Sequence, residues 1–235
     1  MIKNMKILSL DTSSKHFSVG LTDGQNVLAF RVIKNDKVLS SKMIPALKAV
    51  SKPTRKLPQD LDGIAVGLGP GSFTSLRVGF ATVKGLALAL NKPVVGVASF
   101  DSIAASIKIK EKEQLCVIVD AKRDMVYSAL YQRKDGQTVR CSELLLTGLD
   151  DLLSKVSGRV VFAGDGIPIH KDEIVRRAKV RNAGFKPVFL DEKFWYPSAK
   201  QIAFLALSRF ENKDVDNINT LVPLYLYPQD CQVKR

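Results

Sequence analysis

The sequence predicts an α/β protein of two lobes, each a mixed sheet flanked by helices, and two observations carry the prediction. The first is an echo. Lys6-Ile-Leu-Ser-Leu-Asp11 is a short apolar strand that ends in a carboxylate and turns into a second strand. Leu115 to Asp120, followed by Met125 to Gln132, repeats the arrangement across the Ala-Lys-Arg-Asp turn. The second observation is that apolar strand-like segments alternate with helical periodicity along 235 residues, long enough for two lobes with adequate cores.

The elements follow in order. Phe17 to Thr22 and Val27 to Ile33 are strands joined at Asp23-Gly24, a strong hairpin signal, and with the first strand they form an antiparallel meander. Ser40 to Lys52 carries Met43, Ile44, Leu47 and Val50 at helical spacing, and Pro45 must lie near that helix's start or kink it. Pro53 and Pro58 break the chain before a strand at Gly63 to Leu68. A helix from Phe73 to Leu90, a strand from Pro93 to Val97 and a helix from Phe100 to Ile109 capped by Ser99 come next. The polar stretch Lys108 to Gln114 marks the boundary, giving lobes of 1–108 and 109–235. Beyond the second hairpin, Val160 to Gly164 is a strand and Ala199 to Glu211 a helix, and Pro223-Leu-Tyr-Leu-Tyr-Pro228 reads as an extended tail docking back. Two lobes that each open strand–Asp–turn–strand describe the actin-like, sugar kinase and Hsp70 fold, in which the two turns grip a nucleotide's phosphates from opposite sides.

Composition narrows the class. The apolar fraction of 46% is that of a globular protein, and no apolar run reaches the roughly 18 residues of a membrane span. The N-terminus lacks the layout of a signal peptide. Cys116, Cys141 and Cys231 form no CxxC pair, which argues against a disulfide framework or zinc site and for a reducing cytoplasm. The net charge of +13 is lopsided: residues 1–110 carry +10, and Arg31 to Lys56 holds eight basic residues against Asp36 alone. Such a field concentrates polyanions or acidic partners, with Lys37, Lys42, Lys48 and Lys52 as candidate RNA contacts; the alternative is a solvated lysine-rich surface.

The loop GLGPGSFTSLRVG, Gly67 to Gly79, is the most distinctive stretch. It lacks the third glycine of a dinucleotide fingerprint, the Gly-Lys-Ser/Thr of a Walker loop and the G-x-S-x-G of an esterase elbow. Either it is a sharp strand-to-helix turn with Ser72 as helix cap, or the helix N-terminus binds an anion. In the helix that follows, Leu76, Phe80, Val83, Ala87 and Leu90 form an apolar stripe, yet Val78, Leu86 and Ala89 lie on other sides. One face packs on its own sheet, and the excess predicts a protein–protein interface, the alternative being burial entirely within the chain; Leu76, Phe80 and Met43 anchor it, Leu47 and Phe73 belong to it, and Arg77 and Lys84 form its polar rim.

Catalytic equipment is sparse. His16 and His170 stand too far apart for a paired metal site, so no metal is expected. Asp11-Thr12-Ser13 has the hydroxyls and backbone to hold phosphate or Mg²⁺, or simply closes a hairpin. The matching turn, Asp120-Ala-Lys-Arg-Asp124, has bulky side chains and no glycine, so nucleotide chemistry reads as degenerate. The rival readings are a self-sufficient nucleotide-binding phosphotransferase of the same fold and a peptidase.

Ile7-Leu-Ser-Leu-Asp-Thr-Ser13, Gly63 to Thr74 with Leu76-Arg-Val-Gly79, Lys84 to Ala89, Val117-Ile-Val-Asp-Ala-Lys-Arg123 and the tail Pro223-Leu-Tyr-Leu resemble the TsaB (YeaZ) family, in order along nearly the whole chain. The resemblance implies the actin-like fold and a role in making N6-threonylcarbamoyladenosine at position 37 of tRNAs that read ANN codons. It implies a non-catalytic subunit with no cofactor of its own, ATP or ADP aside. The implied partners are the metal-binding paralogue TsaD, which transfers the threonylcarbamoyl group, and the ATPase TsaE, with tRNA reached through the complex and a homodimer in isolation. The family's pairing surface is the two-helix face. The chain departs from the family at Ser75, which replaces a glycine, at Asp124, which replaces a small residue, and at Leu39-Ser40, which replaces His-Ser.

Overall fold

The computed structural model describes residues 4–34, 39–52, 60–180 and 184–227. The chain divides into two units, Met1–Ser102 with Pro197–Leu224, and Ile103–Tyr196 with Tyr225–Arg235. The first opens with β1 (Lys6–Asp11), β2 (His16–Asp23) and β3 (Asn26–Lys34), the expected meander. Gly24 at φ 58° closes the β2–β3 turn, the left-handed conformation that the Asp-Gly pair supplies. Helix α1 (Leu39–Ser51), β4 (Gly63–Gly67), α2 (Phe73–Leu90), β5 (Val94–Val97) and α3 (Ser99–Ala104) follow. Pro45 sits in the interior of α1 rather than near its start.

The second unit holds β6 (Glu113–Lys122), β7 (Met125–Lys134), β8 (Gln137–Arg140), β9 (Leu145–Gly148), α4 (Leu149–Leu153), β10 (Gly158–Ala163), α5 (Ile167–Ala178) and β11 (Phe185–Phe189). A single 3-10 turn, Glu192–Phe194, precedes α6 (Ala199–Glu211). Sheet order exposes the duplication. The first sheet runs β3-β2-β1-β4-β5 and the second runs β8-β7-β6-β10-β11, the same order with the same directions. In each, an antiparallel hairpin lies on one side of the first strand and parallel strands lie on the other.

The sheet of the first unit is covered on both faces. Leu8, Leu10, Val19 and Ile64 point to one side and pack with Met43, Leu47 and Val50 of α1 and Phe80, Val83 and Ala87 of α2. Ile7, Ala65, Val95 and Val97 point to the other and pack with Ile202, Ala206, Leu207 and Phe210 of α6. The alternation along β1 and β4 therefore sorts residues between two cores, as a strand buried on both faces requires.

Helix α6 belongs to the first unit, so the expected boundary at 108/109 does not describe the molecule. The sequence offered no sign that a helix 90 residues beyond the polar stretch would return to cover the free face of the first sheet. An ionic clasp holds the return. The Arg209 guanidinium donates to Asp214, Asp216 and the Gly96 carbonyl, while the Gly96 N–H donates to Asp216 Oδ2 at 2.7 Å. The tail is extended as expected: the Leu224 N–H donates to the Leu68 carbonyl at 2.8 Å.

Phe210 is 5% exposed and lies against Gly63, where any Cβ would strike its ring. Phe210→Ala should therefore lower stability by about 3–5 kcal/mol in urea unfolding followed by circular dichroism, despite its position in the last turn of α6.

Candidate functional site

The Asp11 turn and the glycine loop form one packed unit. The Asp11 carboxylate is buried at the end of β1 and accepts from the Ser13 N–H (2.9 Å), the Ser13 hydroxyl (2.7 Å) and the Ser99 hydroxyl (2.6 Å). Ser99 in turn accepts the Gly69 N–H at 3.0 Å, so it ties the carboxylate to the loop. This corrects the reading of Ser99 as a helix cap. Helix α3 starts at Ser99 itself and ends at Ala104 rather than Ile109, and the Ser99 side chain serves Asp11. Burial pushes the Asp11 carboxyl above its ordinary range, against the lowering effect of the three hydrogen bonds.

The glycines make this burial feasible. A Cβ at Gly67 would overlap Asp11 Oδ2, one at Gly71 the Ser13 carbonyl oxygen, and one at Gly79 the Thr12 hydroxyl. The loop thus closes onto the turn by backbone approach, which side chains would prevent. The Ser72 N–H donates to the Ser13 carbonyl at 2.8 Å, and the Ser75 N–H reaches the Ser72 hydroxyl at 3.5 Å. Thr12 and Ser13, the residues read as a phosphate turn, are 2% and 4% exposed, covered by the loop and by α2. Of the two readings of the loop, the tight turn capped by Ser72 fits this geometry.

The corresponding turn of the second unit is built differently. Lys122, Arg123 and Asp124 all lie in the left-handed region, at φ 66°, 54° and 58°. Asp120 is held by the Lys122 N–H (3.2 Å) and ammonium (2.7 Å), which keep its carboxyl below the usual range against a desolvation effect in the opposite direction. His170 Nε2 lies 3.8 Å from Asp120 Oδ1. Gly164 after β10 repeats the close approach, since its Cβ would overlap the Ile118 carbonyl. The hydroxyl of Tyr227 donates to the Ala121 carbonyl at 2.5 Å, so the tail docks on this turn.

Helix α2 divides its apolar residues between inside and outside. Leu76 (1% exposed) and Phe80 (5%) belong to the core, as do Met43 and Leu47 of α1. They cannot anchor an intermolecular contact, because the sheet takes the stripe they form. Phe73 (50% exposed), Arg77, Ala81, Lys84 and Leu88 (66%) run along the outer side instead, at spacings of three or four residues. The Arg77 guanidinium lies 3.8 Å from the Phe73 ring centroid, and Ile44 of α1 is 53% exposed. Ile44 and Leu88 are the outer residues that sequence reasoning passed over. Arg77, Lys84 and Asn91 recur at seven-residue spacing as a narrow polar strip, and its interruption by Leu88 is the signal. Among the candidate RNA contacts, the Lys42 ammonium donates to the Lys34 carbonyl at 3.1 Å, Lys48 and Lys52 are exposed, and Lys37 lies outside the described residues. Helix α2 is also the one described helix with the length and mean apolar composition of a membrane span, although Arg77 and Lys84 interrupt it. Its stripe of Leu76, Phe80, Val83 and Ala87 is nevertheless committed to the core.

The repeated sheet order, with an aspartate at or near the end of the first strand of each unit and a glycine loop after the fourth strand of the sheet, defines an actin-like (sugar kinase/Hsp70) fold. The family model described as TsaD: tRNA N6-adenosine threonylcarbamoyltransferase matches residues 36–233. The tRNA threonylcarbamoyladenosine biosynthesis protein TsaB of Bacillus subtilis (strain 168) is 30% identical over 233 residues, covering 98% of this chain and 97% of that protein. Its namesake in Escherichia coli (strain K12) is 25% identical over 228 residues, 94% of each. Among solved structures, YeaZ from Pseudomonas aeruginosa superposes with a TM-score of 0.75 at 25% identity, covering 94% of this chain and 100% of that one. The chain belongs to the TsaB (YeaZ) family.

Two glycines of α2 give opposite expectations. Gly79→Ala should cost roughly 1–3 kcal/mol through its collision with Thr12. Gly85→Ala, with nothing within 4 Å, should gain about 0.5–1 kcal/mol from reduced chain entropy. Thermal unfolding of the pair reads both signs. For Asp11, folding favours the neutral carboxyl, so wild-type stability falls as pH rises from the ordinary carboxylate range through the raised value. Asp11→Asn removes that slope, and in unfolding measured across pH the variant should improve relative to wild type as pH increases.

Proposed function

We propose that this chain is a non-catalytic scaffold subunit in tRNA threonylcarbamoyladenosine biosynthesis. It pairs with a TsaD-type paralogue through the outer side of α2 and the adjoining part of α1, and a TsaE-type ATPase completes the assembly. That assembly works in the cytoplasm on adenosine 37 of ANN-decoding tRNAs, and tRNA reaches the chain through it. The pathway comes from the names of the relatives. The single observation that carries the scaffold role is the stripe Phe73, Arg77, Ala81, Lys84 and Leu88, which leaves two large apolar side chains, Phe73 and Leu88, in solvent at its two ends on one helix. Small residues at Ala81 and Gly85 allow a second helix to approach closely, and Arg77 and Lys84 supply the polar rim. The same stripe, uncovered, favours a homodimer when the chain is isolated. The Asp11 turn supports a structural role, since its carboxylate and hydroxyls are engaged with the chain's own loop.

Solution mass of the purified chain, alone and mixed with a TsaD-type relative, tests the reading. Wild type should form a 1:1 complex. Phe73→Asp with Leu88→Asp should abolish it while leaving unfolding unchanged within about 1 kcal/mol, since both positions are exposed. Phe80→Asp would be a poor probe, because it places a charge in the core. A double variant that still pairs as wild type does, or a wild type indifferent to the relative, overturns the proposal.

A further inference from the structure

The polar segment that seemed only a boundary has a defined structure. After α3, residues 107–110 alternate: Ile107 and Ile109 are buried, while Lys108 and Lys110 are exposed. The β7–β8 hairpin pins this stretch from beneath. The Thr138 hydroxyl donates to the Ile107 carbonyl at 2.8 Å and the Arg133 guanidinium to the Ile109 carbonyl at 3.1 Å. Arg133 and Thr138 stand opposite each other in the hairpin register, so both reach the segment from one face. The two lysines are therefore held outward on a fixed backbone, about 6–7 Å apart as alternate residues of an extended chain. Lys112 follows on the next turn and Lys134 at the end of the hairpin, both exposed.

Several other basic residues of the unit are paired. Arg159 pairs with Glu113, Arg176 and Arg177 with Glu173, and Lys122 with Asp120. Among the described residues, the ammonium groups of Lys108, Lys110, Lys112 and Lys134 have no partner, although Glu111 and Asp135 are close in sequence. Glu113 is occupied by Arg159 at 2.8 Å and by the Lys110 N–H at 2.9 Å. No exposed large apolar residue lies in 105–112 or 131–140. Protein interfaces carry an apolar or aromatic core, whereas a phosphate backbone asks only for charge at suitable intervals.

We propose that this ridge, Lys108, Lys110, Lys112 and Lys134, is an RNA contact of the chain that grips phosphates without reading sequence. The proposal rests on the tRNA reading above for the identity of its polyanion. Its residues are other than those of α1 and the α2 stripe.

The test is fluorescence anisotropy of a labelled tRNA transcript with the full chain, alone and mixed with the TsaD-type relative, across a salt series. The ridge variant replaces all four lysines with Gln. A control variant replaces Lys155, Lys179, Lys186 and Lys193, also exposed and in the same unit, with the same change in net charge. The ridge variant should bind at least about tenfold more weakly at moderate salt and lose about three to four from the slope of log K against log salt. The control should keep most of both. Unchanged RNA binding in the ridge variant, equal losses in the two variants, or a wild type that binds no RNA in either sample overturns the inference. So does loss of the protein complex with RNA affinity intact, which would make the ridge a protein contact. Complex mass is read on the same samples, so a failure to assemble counts against the scaffold reading while RNA binding by the chain alone still decides the ridge.

Discussion

The close approach of the glycine loop to the Asp11 turn is the contact on which the first unit depends. A carboxylate buried at a strand end is costly unless hydrogen bonds reach both oxygens, and here they come from Ser13 on the turn and Ser99 after β5. Those donors can converge only if β4, the loop and the first turns of α2 come within backbone distance of the turn, which Gly67, Gly71 and Gly79 permit. Once α2 is seated, its orientation is settled. Phe80, Val83 and Ala87 face the sheet, Leu76 is buried beside the loop, and Phe73, Arg77 and Leu88 are exposed. The exposed stripe is thus a consequence of how a buried aspartate is satisfied.

The two units solve the same geometric problem with different residues. Both carry an aspartate at or near the end of their first strand, place a glycine loop after the fourth strand of the sheet and press that loop on the first hairpin. In the first unit, short hydroxyl side chains fill the turn and are covered. In the second, three successive non-glycine residues take up left-handed backbone, and charged side chains point to solvent. Left-handed conformations at such residues are individually unfavourable and persist where surrounding contacts hold them, here including Tyr227 on the Ala121 carbonyl. The two units share a topology while their turn chemistry differs.

Charge follows a comparable division. Arginines are mostly consumed by the fold, as in the Arg209 clasp that brings α6 back to the first sheet and the Arg176 and Arg177 pairs on α5. A planar guanidinium suits these forked, multi-acceptor contacts. Lysines remain on the outside, and a fixed backbone gives some of them defined positions.

Local signals in the sequence determined a great deal. The Asp-Gly hairpin, the 3.6-residue period from Phe73 to Leu90 and the strand–aspartate echo are properties of neighbouring residues, and each appears in the structure where it was read. The glycine motif was visible too, though its purpose was not, since the groups it approaches lie about 60 residues away in Asp11, Thr12 and Ser13. Three matters were decided by tertiary structure alone: the return of α6 to the first sheet, the use of Ser99 as a ligand for Asp11 rather than a cap, and the side of α2 turned to solvent. An all-round apolar helix has no internal preference for which stripe it buries. The sheet chooses, by offering Leu8, Leu10 and Ile64 to one stripe and nothing to the other, and that choice depends on contacts no local pattern records.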